Sequence, residues 1–201
     1  MATAEQPVDR VESVAAVLRS HNIEAIVVQT GDEARDVVLG MLPEQAEVYS
    51  GKSRTLEQIG VAEVLSGSGR YDALRPRMLA MDRKTQAREM RKLMAGPDFM
   101  LGSVAAVTEE GTLVAASATG SQLAAYASGA GRLILVVGSQ KIVRDLDAAL
   151  VRIREVVFPW ENEQVRARLG VDTMLEKVLV LYGEWNAGRT TVVLVREPVG
   201  I

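Results

Sequence analysis

The chain has 201 residues, of which 48% are hydrophobic and 24% are charged, and its formal net charge at pH 7 is -3. This composition is typical of a soluble, globular protein with a substantial core, and it excludes a disordered or a membrane-embedded chain. Because the charge balance is slightly acidic, we expect no general attraction to nucleic acid and no nucleic-acid partner.

The scarce residue types narrow the chemistry further. The chain has no cysteine and one histidine, His21. It therefore offers no disulfide, no thiol nucleophile, no cysteine ligand for an iron–sulfur cluster and no multi-histidine metal site, so we expect no metal and no cofactor. The first ten residues lack an apolar signal core, and no segment reaches the roughly 20 apolar residues of a membrane span. These features predict a cytoplasmic protein without a membrane span.

The N-terminal quarter alternates between helical and extended patterns. Apolar spacing and turn residues predict an N-terminal helical segment within residues 1–20, a strand over Ile23–Val28, a helix stopped by Pro43, and a strand over Ala46–Tyr49. Thr30 and Glu33 form a predicted capping box in front of the second helix. This alternation predicts an α/β fold with a mostly parallel sheet flanked by helices, forming a single domain over residues 1–201.

The segment SGKSRT, residues 50–55, joins that last strand to a predicted short helix over Leu56–Ile59. Free amides and the helix dipole attract anions at such a position, so four of its residues are candidate ligand contacts: Gly51, Lys52, Ser53 and Thr55. The segment is not a Walker A loop, because the GxxxxGK[ST] spacing is absent. In the simpler alternative, a hydroxyl caps the helix while Lys52 and Arg54 lie in solvent.

Residues 78–100 hold five of the eight methionines, and a helix is predicted over Asp82–Ala95. A methionine-rich helix can form a binding groove, but methionine more often fills irregular gaps in a core, and we favour the core. The basic residues of this helix are interpreted as its solvated face: Lys84, Arg88, Arg91 and Lys92.

The central segment, residues 98–143, carries most of the candidate site. Its pattern predicts one strand over 98–108, a turn, a second strand over 112–118, an Ala-rich helix, and a fully buried strand over Leu133–Val137. Parallel sheets place ligand sites at the carboxyl ends of their strands. The polar and glycine residues at the junctions where these strands end are therefore candidate ligand contacts: Thr108, Thr119, Gly120, Ser121, Gly138, Gln140 and Lys141.

Lys52 and Lys141 each directly follow a buried strand. Parallel strands deliver their following loops to one edge, so both lysines are predicted to face a single anion-binding crevice. An exposed, solubilising role for Lys141 is the alternative. Glu109 is the one acidic residue that we consider as a general base, although a solvated carboxylate in the EEG turn is the favoured interpretation.

In the C-terminal part, a helix is predicted over Asp145–Val157, and Phe158-Pro159-Trp160 is expected to break it. A polar helix over Glu161–Leu169 and a strand in KVLVLY follow. The apolar strand over Thr191–Val195 is predicted to be an integral part of the sheet.

Three segments resemble the LUD-domain family, whose best-known members are the C-type subunits of bacterial lactate-utilisation systems. They are SGKSRTLEQIG (50–60), the stretch GSVAAVTEEG to VVFP (102–159), and GRTTVVLVREPVG (188–200). The resemblance implies the fold of sugar-phosphate isomerases, CoA transferases and formyltetrahydrofolate cyclo-ligases (NagB/RpiA/CoA-transferase-like), whose members bind anionic metabolites at the strand ends. It also implies a soluble, non-redox component of a system that converts L-lactate to pyruvate, acting with iron–sulfur partner proteins.

The chain departs from the family pattern at several positions. Many members have asparagine where this chain has Ala105, an Asn-Arg pair where it has Ser121-Gln122, asparagine where it has Gln140, and a cysteine-rich insert before the last strand. A second hypothesis is therefore a stand-alone enzyme or sensor that binds a phosphate- or carboxylate-bearing metabolite. Lys52, Arg54 and Lys141 would supply positive charge in that case.

Overall fold

A computed structural model describes residues 9–201, so residues 1–8 of the predicted N-terminal segment lie outside the described residues. The main sheet has six strands, and every neighbouring pair is parallel. In spatial order the strands are β1 (Glu24–Val28), β10 (Thr190–Val195), β7 (Arg132–Gly138), β4 (Phe99–Gly102), β2 (Glu47–Ser50) and β3 (Asp72–Ala73). The mostly parallel sheet predicted from the sequence is thus confirmed.

A second, four-stranded sheet was not predicted. In spatial order it contains β8 (Ile142–Val143), β5 (Ala106–Thr108), β6 (Leu113–Ser117) and β9 (Lys177–Leu181). The β5–β6 and β6–β9 pairs are antiparallel, whereas β5 and β8 are parallel. KVLVLY therefore forms a strand as expected, but in the second sheet.

The single strand predicted over 98–108 is wrong, because the chain changes sheets between β4 and β5. The hydroxyl of Tyr126 accepts a hydrogen bond from the Ser103 N–H at 3.2 Å and donates one to the Ser103 carbonyl at 3.1 Å. Both backbone groups of Ser103 are therefore engaged outside a strand ladder, which ends β4. A Cβ on Gly102 would collide with the Tyr126 hydroxyl, so the close approach depends on glycine.

Helices flank the two sheets. They are α1 (Arg10–Ser20), α2 (Gly31–Gly40), α3 (Arg54–Gln58), α4 (Val61–Gly67), α5 (Leu74–Leu79), α6 (Ala87–Ala95), α7 (Leu146–Arg152) and α8 (Phe158–Leu169). At α2 the Thr30 hydroxyl accepts from the Glu33 N–H as predicted, but the Glu33 carboxylate accepts from Gln29 and not from Thr30. Helix α6 starts later than predicted, because the Asp82 carboxylate binds the Lys84 N–H and the Thr85 hydroxyl in a preceding turn.

The predicted break at Phe158-Pro159-Trp160 is also wrong. A π-helical turn over Ile153–Val157 connects α7 to α8, and the Phe158 N–H donates to the carbonyl five residues earlier. Pro159 lies in the first turn of α8. Proline lacks an N–H and crowds the carbonyl four residues before it, and the wider turn gives it room. A second π-helical turn occupies Ala125–Gly129, within the predicted Ala-rich helix.

Alternate residues of the buried strands point into two separate cores. Leu133 and Leu135 of β7 pack with α1 and the second sheet, whereas Ile134 and Val136 pack with α2, α3 and α4. A smaller cluster lies between the second sheet and α7. Within residues 9–201, no helix combines the length and the apolar character needed to cross a membrane.

The last strand lies inside the main sheet, between β1 and β7, as predicted. We expect removal of residues 190–201 to abolish cooperative folding, because four fully buried apolar side chains are lost with the strand: Val192, Val193, Leu194 and Val195. Each contributes roughly 1.5–3 kcal/mol by burial, so their sum is about the stability of a whole domain. Thermal unfolding followed by circular dichroism checks this, and a truncated protein that stays soluble and melts cooperatively would contradict it.

Candidate functional site

A cavity of about 1230 Å³ opens at the carboxyl edge of the main sheet. Strands β2, β4 and β7 are neighbours in this sheet and run parallel, so the segments that follow them meet at one edge. Lys52 follows β2, Ser103 follows β4 and Lys141 closely follows β7, and all three line the cavity. The predicted juxtaposition of Lys52 and Lys141 is therefore present.

Eight of the predicted ligand contacts line this cavity: Gly51, Lys52, Ser53, Thr55, Thr119, Gly120, Ser121 and Lys141. Residues 119–121 follow strand β6 of the second sheet, so this sheet supplies part of the cavity lining. That these residues bind a ligand stays a prediction.

Thr108 and Glu109 do not line the cavity. Thr108 ends β5 and Glu109 begins the tight connection to β6 in the second sheet, so the expected position at the edge of a parallel sheet is corrected. Thr108 is buried and its hydroxyl accepts from the Thr112 N–H at 3.0 Å, which closes the turn. Glu109 is half-exposed and pairs with Arg10 at 2.7 Å.

Gly138 and Gln140 face the C-terminal segment and do not line the cavity. The Gln140 amide donates to the Val199 carbonyl at 2.9 Å, and a Cβ on Gly138 would come within 2.7 Å of the same oxygen. Ser139 adds a hydrogen bond to the Arg196 carbonyl at 2.7 Å. This loop therefore fixes residues 196–199 against the end of β7.

The amine of Lys141 lies at the inner end of the cavity. The residue is only 3% exposed, so the alternative of an exposed, solubilising lysine is excluded. Its Nζ donates to the Thr55 hydroxyl and to the Ser103 hydroxyl, each at 2.8 Å. Thr55 lies in the first turn of α3, which follows β2, and Ser103 directly follows β4, so the segments after three neighbouring strands meet at one nitrogen.

Burial is the main cause of an altered pKa at Lys141. It lowers the pKa of the amine from 10.5 to about 7, and the positive charge of Arg152 acts in the same direction. Burial likewise lowers the pKa of Arg152, whose Nη2 donates to the Ile201 carbonyl at 2.6 Å. Neutral pH therefore lies near the midpoint of the Lys141 titration.

Gly200 covers the Lys141 amine. Its φ is +84°, in the left-handed region that favours glycine. A Cβ there would collide with the Thr55 hydroxyl and lie 2.9 Å from the Lys141 Nζ. The backbone at residue 200 therefore packs closely against Thr55 and Lys141, and the Gln58 side chain holds it by accepting from its N–H at 2.8 Å.

The charge lining the cavity is strongly unbalanced. Among residues 9–201, one acidic side chain lines it, Glu161, which pairs with Lys52 at 3.8 Å. Seven basic side chains line it: Lys52, Arg54, Arg75, Arg83, Arg91, Lys141 and Arg168. A chain with a net charge of -3 therefore concentrates positive charge at this edge. The sequence did not indicate Arg75, Arg83 or Arg168 as residues of the site. Arg91 is exposed, as expected for a solvated face, and also lines the cavity.

The two hydroxyls at the start of α3, Ser53 and Thr55, have different partners. Ser53 is the N-cap of α3 and accepts from the Leu56 N–H at 3.4 Å, as the capping alternative requires. The Thr55 side chain instead faces Lys141. The methionines also divide, because Met78 belongs to the core while Met90 and Met94 are partly buried against it, and all three line the cavity.

Comparison with known proteins agrees with this architecture. The LUD domain family model matches residues 11–195. A DUF162 family protein from Deinococcus radiodurans is similar in structure, with 15% identity and a TM-score of 0.50, covering 94% of this chain and 99% of that one. D-Ribose-5-phosphate isomerase in complex with phospho-erythronic acid gives 14% identity and a TM-score of 0.40, with 84% and 95% covered. No curated protein sequence matches the chain significantly.

The altered pKa of Lys141 predicts how stability depends on pH. The unfolded chain holds a proton up to pH 10.5 that the folded chain releases near pH 7, so the free energy of unfolding should rise with pH between these values. The limiting slope for one proton is about 1.4 kcal/mol per pH unit. Lys141→Met lacks this titration. The free energy of unfolding of the variant minus that of the wild type should therefore fall as the pH rises across that range.

Denaturant unfolding of wild type, Lys141→Met and the exposed-site control Lys84→Met at several pH values measures this difference. Other effects of losing the amine, such as its hydrogen bonds to hydroxyls, do not vary with pH in this range. A Lys141→Met difference that is constant with pH would show that the buried amine keeps its ordinary pKa.

Proposed function

Because the chain belongs to the LUD-domain family, we propose that it is a non-redox component of a lactate-utilisation system and binds an anionic metabolite in the cavity at the carboxyl edge of its main sheet. The single observation that carries the binding proposal is the excess of basic side chains in this cavity, seven against one acidic residue among residues 9–201. Clefts lined by one sign of charge concentrate ligands of the opposite sign. Lactate and pyruvate are carboxylates, which makes them the first candidates.

The buried and the exposed residues of the cavity have different proposed roles. Lys141, Thr55 and Ser103 lie at the inner end and offer an amine and two hydroxyls to a carboxylate or phosphate group. Lys52 and the arginines at the mouth are more exposed, so they attract the anion and are screened more by salt. Donors held in place by the hydrogen bonds among Lys141, Thr55 and Ser103 need little rearrangement on binding.

Redox chemistry is assigned to partner proteins in this proposal. Conversion of lactate to pyruvate removes two electrons, and a chain without cysteine has no thiolate to hold an iron–sulfur cluster. The residues of the cavity can bind and orient an anion and exchange a proton with it. The proposed partners are iron–sulfur subunits of the same system.

The alternative is a stand-alone enzyme or sensor for a phosphate-bearing metabolite. Its support is the volume of the cavity, about 1230 Å³, which exceeds the usual range of about 300–1,000 Å³ for small-molecule sites. A three-carbon acid would fill a small part of this space. Neighbouring genes for cysteine-rich proteins would favour the lactate system, and their absence would favour the alternative.

Titration calorimetry with lactate, pyruvate, ribose 5-phosphate and inorganic phosphate tests the binding proposal. Lys52→Ala and Lys141→Met should each make the free energy of anion binding less favourable by about 1.5–3 kcal/mol, the range for a hydrogen bond to a charged group. Lys84→Met, at an exposed position outside the cavity, is the matched control and should bind like the wild type. Absence of binding by all four anions, or equal affinity in every variant, would refute the proposal.

We also expect the isolated chain to purify colourless and free of iron, because it offers no thiolate ligand. Absorption spectra and metal analysis of protein purified without oxygen check this expectation. A visible iron–sulfur band that persists through gel filtration would overturn the assignment of redox chemistry to partners.

A further inference from the structure

We propose that Lys141, Thr55 and Ser103 form an inner subsite for the carboxylate or phosphate head of the ligand, and that on its occupation the Lys141 amine takes up a proton from the solvent. The inference rests on the proposed function, since it requires an anion in the cavity. It adds that the subsite becomes fully charged only when it is occupied.

The first argument is the lack of a counterion. No carboxylate oxygen of residues 9–201 forms an ion pair within 4.0 Å of the Lys141 Nζ, and Glu161 is engaged by Lys52. The charged group that acts on the amine most strongly is Arg152 of α7, another cation. Other titratable groups lining the cavity on this side are Lys52, Arg54, Tyr49 and Tyr126, and Arg152 itself donates to the Ile201 carbonyl. A buried ammonium without a negative partner is unfavourable. Without a bound anion, the neutral form of the Lys141 amine is therefore favoured more than in an exposed lysine.

The second argument is the orientation of the two hydroxyls. The Ser103 hydroxyl also donates to the Val136 carbonyl at 2.7 Å, so its oxygen faces Lys141 as an acceptor. The Thr55 hydroxyl has no other hydrogen-bond partner among residues 9–201. It can therefore accept from an ammonium or turn and donate to an amine, which suits both protonation states without moving the backbone.

The third argument is geometric. The two hydroxyls accept two hydrogen bonds from the Lys141 nitrogen. An ammonium has three N–H groups, so one of them is left to donate to a ligand. An anion that reaches the inner end of the cavity can accept this N–H and supply the missing negative charge. Binding then favours the ammonium, so the complex holds one more proton than the separate protein and anion at a pH above the midpoint of the free amine.

The proton count on binding tests this inference. Calorimetric titrations of pyruvate and of sulfate at pH 8 are repeated in two buffers with different ionisation enthalpies. Neither anion titrates near pH 8, so any proton taken up is bound by the protein. We expect uptake approaching one proton per bound anion in the wild type and in Lys84→Met. Lys141→Met should lose the uptake and bind about tenfold or more weakly.

Two substitutions of Thr55 separate its hydroxyl from its volume. Thr55→Ser keeps a hydroxyl and should retain proton uptake, whereas Thr55→Val keeps the shape and should reduce both affinity and uptake. If neither anion binds, this inference is wrong, and the proposed function fails as well when lactate, ribose 5-phosphate and inorganic phosphate also do not bind. If an anion binds without proton uptake, or if Lys141→Met shows the same uptake as the wild type, the inference alone is wrong and the binding function stands.

Discussion

The burial of one amine without a negative partner is the constraint on which the site depends. Lys141 is held by two hydroxyls, lies close to the charge of Arg152 and is covered by the backbone at Gly200. Such an arrangement costs free energy that a purely structural residue could avoid. Residues of this kind occur where a protein needs a group whose charge can change, and this one lies at the carboxyl edge of a parallel sheet.

The fold brings these groups together through the change of sheet at Ser103. The Tyr126 hydroxyl hydrogen-bonds to both backbone groups of Ser103, so β4 ends there. The Ser103 hydroxyl then lies beside Lys141. The chain then enters the second sheet, whose strand β6 leads to residues 117–121 on the other side of the cavity. The two π-helical turns also contribute to the wall, through Tyr126 and Ile153. The site is therefore a product of both sheets.

Sequence patterns predicted the parts of the structure that depend on local physics. Apolar spacing and capping residues located α1, α2 and the strands β1, β2, β7 and β10, and the βαβ alternation placed Lys52 and Lys141 on one edge. Ser103 escaped notice because an apolar run does not show where a chain leaves one sheet for another. The arginines at residues 75 and 83 reach the cavity through tertiary packing. Gly138 and Gln140 have the residue types of a ligand loop, but here they hold the C-terminal segment at Val199.

The central claim is that Lys141 changes its charge near neutral pH in the empty protein. The most direct measurement is an NMR titration of the lysine side-chain carbons next to the amine, with the Lys141 signal assigned by its loss in Lys141→Met. The account predicts a midpoint close to 7 for this one lysine and its upward displacement when an anion is added. A midpoint near 10.5 for Lys141 in the ligand-free protein, the ordinary value for a lysine amine, would contradict the account.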